Sequence, residues 1–256
     1  MKPPLARALA AVVLALFGLA SPADAARPVI LQPAPPIAKG IAAFPRLVGK
    51  PGGKPGDKAI ARINRALGQA EVGLGCDDPK YDWNRTVAVT MRGPHYLSYV
   101  AMDDYYCGGA YPDTDTMALV FDLTSGAPID WKALFPAGIV SAAGTGPGNP
   151  DSQPVTVTSD ALWKRYVKLA APVSGIKDCT DVLANPPWHG TGLMLWPDAA
   201  ADGVAMMAAD FPHVIKACGP PVTLTMAELR KLGVRPAFLA DLAEAHRNGW
   251  FDKAKK

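Results

Sequence analysis

The sequence is poor in the features that mark most functional classes. Beyond residue 20 it has no apolar run close to the roughly 20 residues that a bilayer span requires. Its four cysteines include no CxxC, which removes the usual zinc and thioredoxin-like frames. The four histidines, His95, His189, His213 and His246, form neither HxxxH nor HxH, so a metal site would need assembly from distant segments. No serine sits in a G-x-S-x-G frame, and Ser174-Gly175-Ile176-Lys177 lacks the companion motifs of penicillin-recognising enzymes. Charge is sparse: 19% of residues are charged and the net charge is +3, too little to favour nucleic acid or an anionic membrane. No internal repeat and no cofactor motif is present.

What is there begins with export. Lys2 and Arg7 precede an uncharged apolar run from Ala8 to Ala20; Ser21-Pro22 breaks it, and Ala23-Asp24-Ala25 supplies small residues for cleavage. A charged start, a short apolar core and an A-x-A end form the signal-peptide pattern over residues 1–25. The expected location is periplasmic or secreted. Removing these residues leaves 24 basic against 22 acidic side chains. The remaining cysteines, Cys76, Cys107, Cys179 and Cys218, are even in number, which in an exported chain favours disulfides. Four cysteines allow three pairings. Cys76–Cys107 with Cys179–Cys218 keeps each bond within one half of the chain and is the preferred pairing, with reduced buried thiols as the alternative.

Residues 26–56 are a Pro/Gly-rich lead-in, with seven prolines from Pro28 to Pro55. Asp57 is positioned to cap a helix whose Ile60, Ile63 and Leu67 share a face. The period then changes to two. Val87, Val89 and Met91 alternate with Thr86, Ala88 and Thr90, a second strand runs from Tyr96 to Met102, and Met117, Leu119, Phe121 and Leu123 mark a third. Pairing residue 92 with 95 places Cys107 opposite residue 80, four positions from Cys76, although Pro94 is awkward in a tight turn. Trp131 to Phe135 reads as a short helical turn, and residues 138 to 154 as an exposed loop. Ser159 caps a helix with Leu162, Trp163, Tyr166 and Val167 on one side. Leu193–Trp196 and Val204–Ala208 read as strands. Thr225-Met226-Ala227-Glu228 is a capping box, Gly233 ends its helix, and Pro236 opens the last helix, with Leu239, Leu242 and Ala243 inward. Short connections and the absence of a βαβ rhythm predict an α+β fold of antiparallel sheets against helices, stapled by disulfides. Residues 57–252 form the expected single domain, in two lobes of about 57–136 and 157–252 joined by the Gly/Pro-rich loop.

Several short stretches, in order, resemble a family of exported domains. They are Ala42-Ala43-Phe44-Pro45 with Ile63-Asn64-Arg65-Ala66-Leu67; Tyr99-Val100-Ala101-Met102 with Tyr106-Cys107-Gly108-Gly109-Ala110-Tyr111-Pro112; Phe121-Asp122-Leu123-Thr124-Ser125-Gly126; Asp130-Trp131-Lys132-Ala133-Leu134-Phe135; and Gly192-Leu193-Met194-Leu195, Phe211-Pro212-His213 and Val222-Thr223-Leu224 with Leu229. The family occurs as the outer domain of lysozyme-sensing anti-sigma factors and beside some cell-wall polysaccharide deacetylase domains. The resemblance spans most of residues 42 to 233 and implies a binding module of the cell envelope. Tyr111 stands where the family usually has His, so no imidazole role transfers. No transmembrane helix and no deacetylase domain accompany it, so neither signalling nor deacetylation transfers.

The candidate contact segment is Tyr105, Tyr106, Gly108, Gly109, Tyr111 and Asp113. Glycines there allow close backbone approach, and tyrosines offer amphipathic contact; the bland reading is a tight turn at a strand end with tyrosines packed locally. Trp188, after Pro186-Pro187, is a distant second candidate, for stacking or for capping the core. Asp103, Asp104, Asp113 and Asp115 offer carboxylates for an envelope-acting hydrolase. Asp103 and Asp104 are neighbours on a strand and point to opposite faces, so they cannot address one bond. Calcium at Asp113-Thr114-Asp115 lacks the ligand spacing of an EF-hand loop. The expected partners are a lysozyme-like envelope protein or a cell-wall glycan.

Overall fold

The computed structural model describes residues 28–49, 56–72, 76, 82–108, 110–146, 148–185, 191–209 and 211–253. The expected signal segment, Gly109 and Trp188 lie outside these residues. In chain order, β1 (Ile30–Gln32) and β2 (Arg46–Gly49) form a small antiparallel ladder, and α1 (Asp57–Ala70) follows. The cap of α1 is Gly56, not Asp57, which is the first helical residue and places its carboxylate in the first turn, where the helix dipole favours it. Next come β3 (Asp82–Arg92), β4 (Tyr96–Tyr106) and β5 (Asp113–Asp122), an antiparallel meander. A short α2 (Trp131–Leu134) leads to β6 (Ala142–Thr145) and β7 (Val155–Thr158), then α3 (Asp160–Ser174) and α4 (Cys179–Ala184). Finally β8 (Leu193–Asp198), β9 (Gly203–Ala208), α5 (His213–Lys216), β10 (Val222–Thr225), α6 (Met226–Lys231) and α7 (Pro236–Asn248) complete the chain. The second sheet is antiparallel throughout, in the order β10-β9-β8-β7-β6. The fold is α+β and disulfide-stapled.

The three-stranded sheet is the middle layer. Alternation sends Val89, Tyr99 and Leu119 to one face, where they meet Phe44, Ile63 and Leu67. Tyr99 donates from its hydroxyl to Pro45 O at 2.8 Å, and its ring meets Phe44 edge-on. Met91, Ala118 and Val120 face the other way, into the core built by the second sheet with α3, α6 and α7. Gly126 permits the close approach of a turn to α1: a Cβ there would lie 2.6 Å from Ala59 O, and its φ is +69°.

Two further expectations change in the described chain. Residues 138 to 154 are not one open loop, because β6 pairs with β7 there and Ser152 is buried. The β3–β4 turn is wider than a 92–95 pairing: Arg92 faces Leu97, and Gly93 N–H donates to Tyr96 O. Pro94 has no N–H and its fixed φ is unsuited to a two-residue turn, so two extra residues enter the loop. A bulge between Val89 and Met91 then shifts the register by one, and Tyr106 faces Asp82. Cys76–Cys107 and Cys179–Cys218 are both bonded.

Candidate functional site

β4 and β5 run past the core, and their far ends carry the predicted contact segment. Pairing sets Trp83 beside Tyr105 and Asp113, and Arg85 beside Asp103 and Asp115, all on one face. Asn84, Asp104 and Thr114 lie on the other. Asp103 and Asp104 therefore diverge as the strand period requires, with Asp103 buried and Asp104 exposed.

Asp103 is wholly engaged. Its two oxygens accept from Arg85 Nε and Nη2 at 2.7 Å each, and Trp83 Nε1 donates to Oδ1 at 2.8 Å. Arg85 is buried, and its guanidinium lies over the Trp83 ring. The segment before β2 closes over the pair: Arg85 N–H donates to Gly40 O, and Ala42 N–H to Arg85 O. A buried ion pair depends on its hydrogen bonds, and here Arg85 Nε and Nη2 are bonded while Nη1 finds no partner among the described residues. The pair anchors the sheet end, and both Asp103 oxygens are committed to it.

Beyond it, α5 closes over the margin of β5. Lys216 Nζ donates to Asp113 Oδ1, Asp115 Oδ1 and Thr114 O, all at 2.8 Å. His213 Nδ1 stands 3.2 Å from Asp113 Oδ1, and its ring stacks on Tyr111 with centroids 5.8 Å apart. Tyr105 donates from its hydroxyl to Asp115 Oδ2 at 2.7 Å. Partial burial works to raise the Asp113 pKa, but bonds from Lys216, the Thr114 N–H and His213 outweigh it and bring the carboxyl down to about 2. Burial raises the Tyr105 pKa, and the bond to Asp115 reinforces that. Desolvation lowers the Lys216 pKa, yet its two carboxylates outweigh this and leave it raised. The Asp113–Asp115 pair thus already holds a cation, the Lys216 ammonium, where calcium had been considered. Among the described residues no group of three or more His, Cys, Asp or Glu side chains is placed to hold a metal ion.

The remaining predicted residues surround this ridge. Tyr111 is 72% exposed, Tyr106 is 40% exposed, and the neighbouring Met102 is 55% exposed. Gly108 has φ +80°, which suits glycine at the strand end, and Cys107 ties that end to Cys76. Two cavities flank the ridge. One of about 790 Å³ is lined by Lys39, Trp83, Asn84, Tyr105, Tyr106 and Pro112, and the other, of about 740 Å³, lies between the sheets; both reach Thr114. Trp83, Arg85 and Lys216 have no site reading in the sequence, and His213, read there only among the four histidines and in Phe211-Pro212-His213, is hydrogen-bonded and stacked here. Arg85 falls in phase with the inward-facing Val87 and Val89, the one sequence signal of a buried charge there, and Lys216 meets its partners across more than 100 positions.

No family model matches the chain, and no curated protein matches it. The resemblance between residues 42 and 233 therefore stands on its motifs alone. Among solved structures, a DUF3298 family protein from Pseudomonas aeruginosa PAO1 matches at 12% identity and a TM-score of 0.36, over 66% of this chain and 67% of that chain. A DUF3298 family member from Bacteroides fragilis matches at 11% identity and a TM-score of 0.43, over 72% of this chain and 67% of that chain. The neighbours are thus members of a domain family of unknown function. At these scores neither likeness bears on the site. No helix among the described residues is long and apolar enough to cross a membrane.

Proposed function

We propose that the protein is an exported binding module of the cell envelope that holds its partner on the end of the β4–β5 hairpin. The observation that carries this reading is Tyr111. It is 72% exposed yet not loose, because its ring stacks on His213, which is itself tied to Asp113. Large amphipathic rings presented on a fixed frame bind with a small ordering cost. The Cys76–Cys107 bond and Lys216 fix the same hairpin end from two sides. Cleavage after residue 25 brings the domain into an oxidising compartment, in keeping with the bonded cysteines. The partner implied by the sequence resemblance is a lysozyme-like protein or a cell-wall glycan.

Hydrolysis by the carboxylates from Asp103 to Asp115 has less support. Asp103, Asp113 and Asp115 each pair with a cation, and Asp113 titrates below the ordinary range, the wrong direction for a general acid. Calorimetric titration of the purified protein with lysozyme, and separately with soluble peptidoglycan fragments whose size is followed, tests the reading. Saturable binding without shortening of the fragments supports it, and fragment cleavage overturns it in favour of an enzyme.

A further inference from the structure

The cavity on the Lys216 side of the ridge has a chemistry that the hairpin surface does not use. It occupies about 740 Å³, a volume usual for small-molecule sites, between the start of β5 and strands β6 to β9. Its polar lining is mostly neutral: Thr114, Thr116, Thr145, Thr156 and Gln153. Met194, Met207 and Phe211 supply the apolar part. Among the described residues, no hydrogen bond within the protein engages the side chains of Thr116, Thr145 or Gln153. Small residues line the space, including Ala208, Ala209 and Gly219; Gly219 lets the chain pack closely on Phe211, since a Cβ there would come within 2.9 Å of its ring.

The charged pair on the lining is closed on itself. An ammonium has three donors, and those of Lys216 go to Asp113, Asp115 and Thr114 O. Among the described lining residues an anionic ligand finds no free cation, and a cationic one finds Asp115 already neutralised. What the cavity offers a ligand is hydroxyls that both donate and accept, one amide, and an apolar patch. A sugar presents the matching surfaces: hydroxyls on its edge that donate and accept, and C–H bonds on its face that pack against apolar side chains.

We infer that this cavity is a binding site for a neutral saccharide unit. The inference rests on the envelope-binding reading and selects the glycan from its two partner classes. A short peptide fits less well, since its charged termini meet no free counter-charge.

The test titrates the purified protein with the tetrasaccharide of N-acetylglucosamine, and in parallel with lysozyme. Thr116→Val and Thr145→Val remove hydroxyls at constant shape, and Gln153→Ala serves where either valine variant fails to melt like the parent. Saturable tetrasaccharide binding is expected, weakened about tenfold or more in the combined threonine variant. Absence of tetrasaccharide binding, or binding indifferent to these substitutions, overturns the inference. Lysozyme binding that depends on Tyr111, without tetrasaccharide binding, overturns the saccharide site and leaves the hairpin reading standing. Silence with both ligands overturns both.

Discussion

Lys216 Nζ lies 2.8 Å from Asp113 Oδ1, a contact that joins α5 to the start of β5 across 103 positions of sequence. It sets two carboxylates of one strand around a single cation and closes the hairpin end against the second sheet. Lys216→Met leaves Asp113 and Asp115 facing each other without it. A loss of about 1 kcal/mol at neutral pH is expected, as for a partly exposed ion pair. Because the folded-state pKa of Asp113 is depressed to about 2, the stability linked to its ionisation is present above its unfolded value near 4 and fades as the pH falls toward 2. Thermal melts of parent and variant should therefore differ at pH 7 and converge below pH 4. A constant gap across that range would contradict the assignment.

Arg85 and Asp103 predict a larger effect. Asp103→Ala strands a buried guanidinium whose Nη1 already lacks a hydrogen-bond partner among the described residues, and should cost about 3–5 kcal/mol in urea unfolding. Replacing both, as Arg85→Met with Asp103→Leu, should recover most of that loss. A small effect of Asp103→Ala would show that water reaches the pair.

Asp241 titrates in the opposite sense to Asp113. It accepts from the His95 backbone N–H and lies 2.9 Å from His95 Nδ1. Burial raises its pKa, and His95 opposes this incompletely. With a raised folded-state pKa, its contribution is complete below the unfolded value near 4 and is lost as the pH rises through the folded value. Asp241→Asn keeps an acceptor for His95 and removes the buried charge. The variant should melt above the parent at pH 7, and the difference should vanish below pH 4. A lower melting temperature at pH 7 would mean that the exposed His95 pair matters more than burial.

The two disulfides differ in access. Cys179 and Cys218 are buried in the main core, whereas Cys107 is exposed. Brief reduction under native conditions, followed by alkylation and peptide mapping, should label Cys76 and Cys107 first. Loss of Cys179–Cys218 by paired substitution to Ser should cost about 2–5 kcal/mol. Equal labelling of all four thiols would contradict the burial difference.

Much of the fold was legible because its signals are local. The Thr225–Glu228 capping box forms, with each partner bonded to the other. Ser159 caps α3 by accepting from the Leu162 N–H. The alternation of Val87, Val89 and Met91 gives a strand, but not its full reach to Asp82, because Asp82, Asn84 and Arg85 hide the end of the ladder. Strand β6 was missed for a related reason. Ala142-Ala143-Gly144-Thr145 has no apolar alternation and is held at the sheet edge by backbone pairing with β7. The hairpin end drew attention through its tyrosines and glycines, while its anchors did not: Lys216 and His213 sit on a four-residue helix with no buried face. The saccharide cavity is less legible still, since its threonines come from three strands separated in sequence.

The central claim is that the hairpin end binds rather than packs, and Tyr111→Ala tests it most directly. Lysozyme and soluble peptidoglycan fragments would be titrated into parent and variant, with thermal unfolding of both followed in parallel. The account predicts at least a tenfold loss of affinity for the partner that the parent binds, with a melting temperature changed by no more than about 1 °C, because a residue this exposed contributes little to stability. A variant that binds as the parent does, or one that melts several degrees lower, would contradict it.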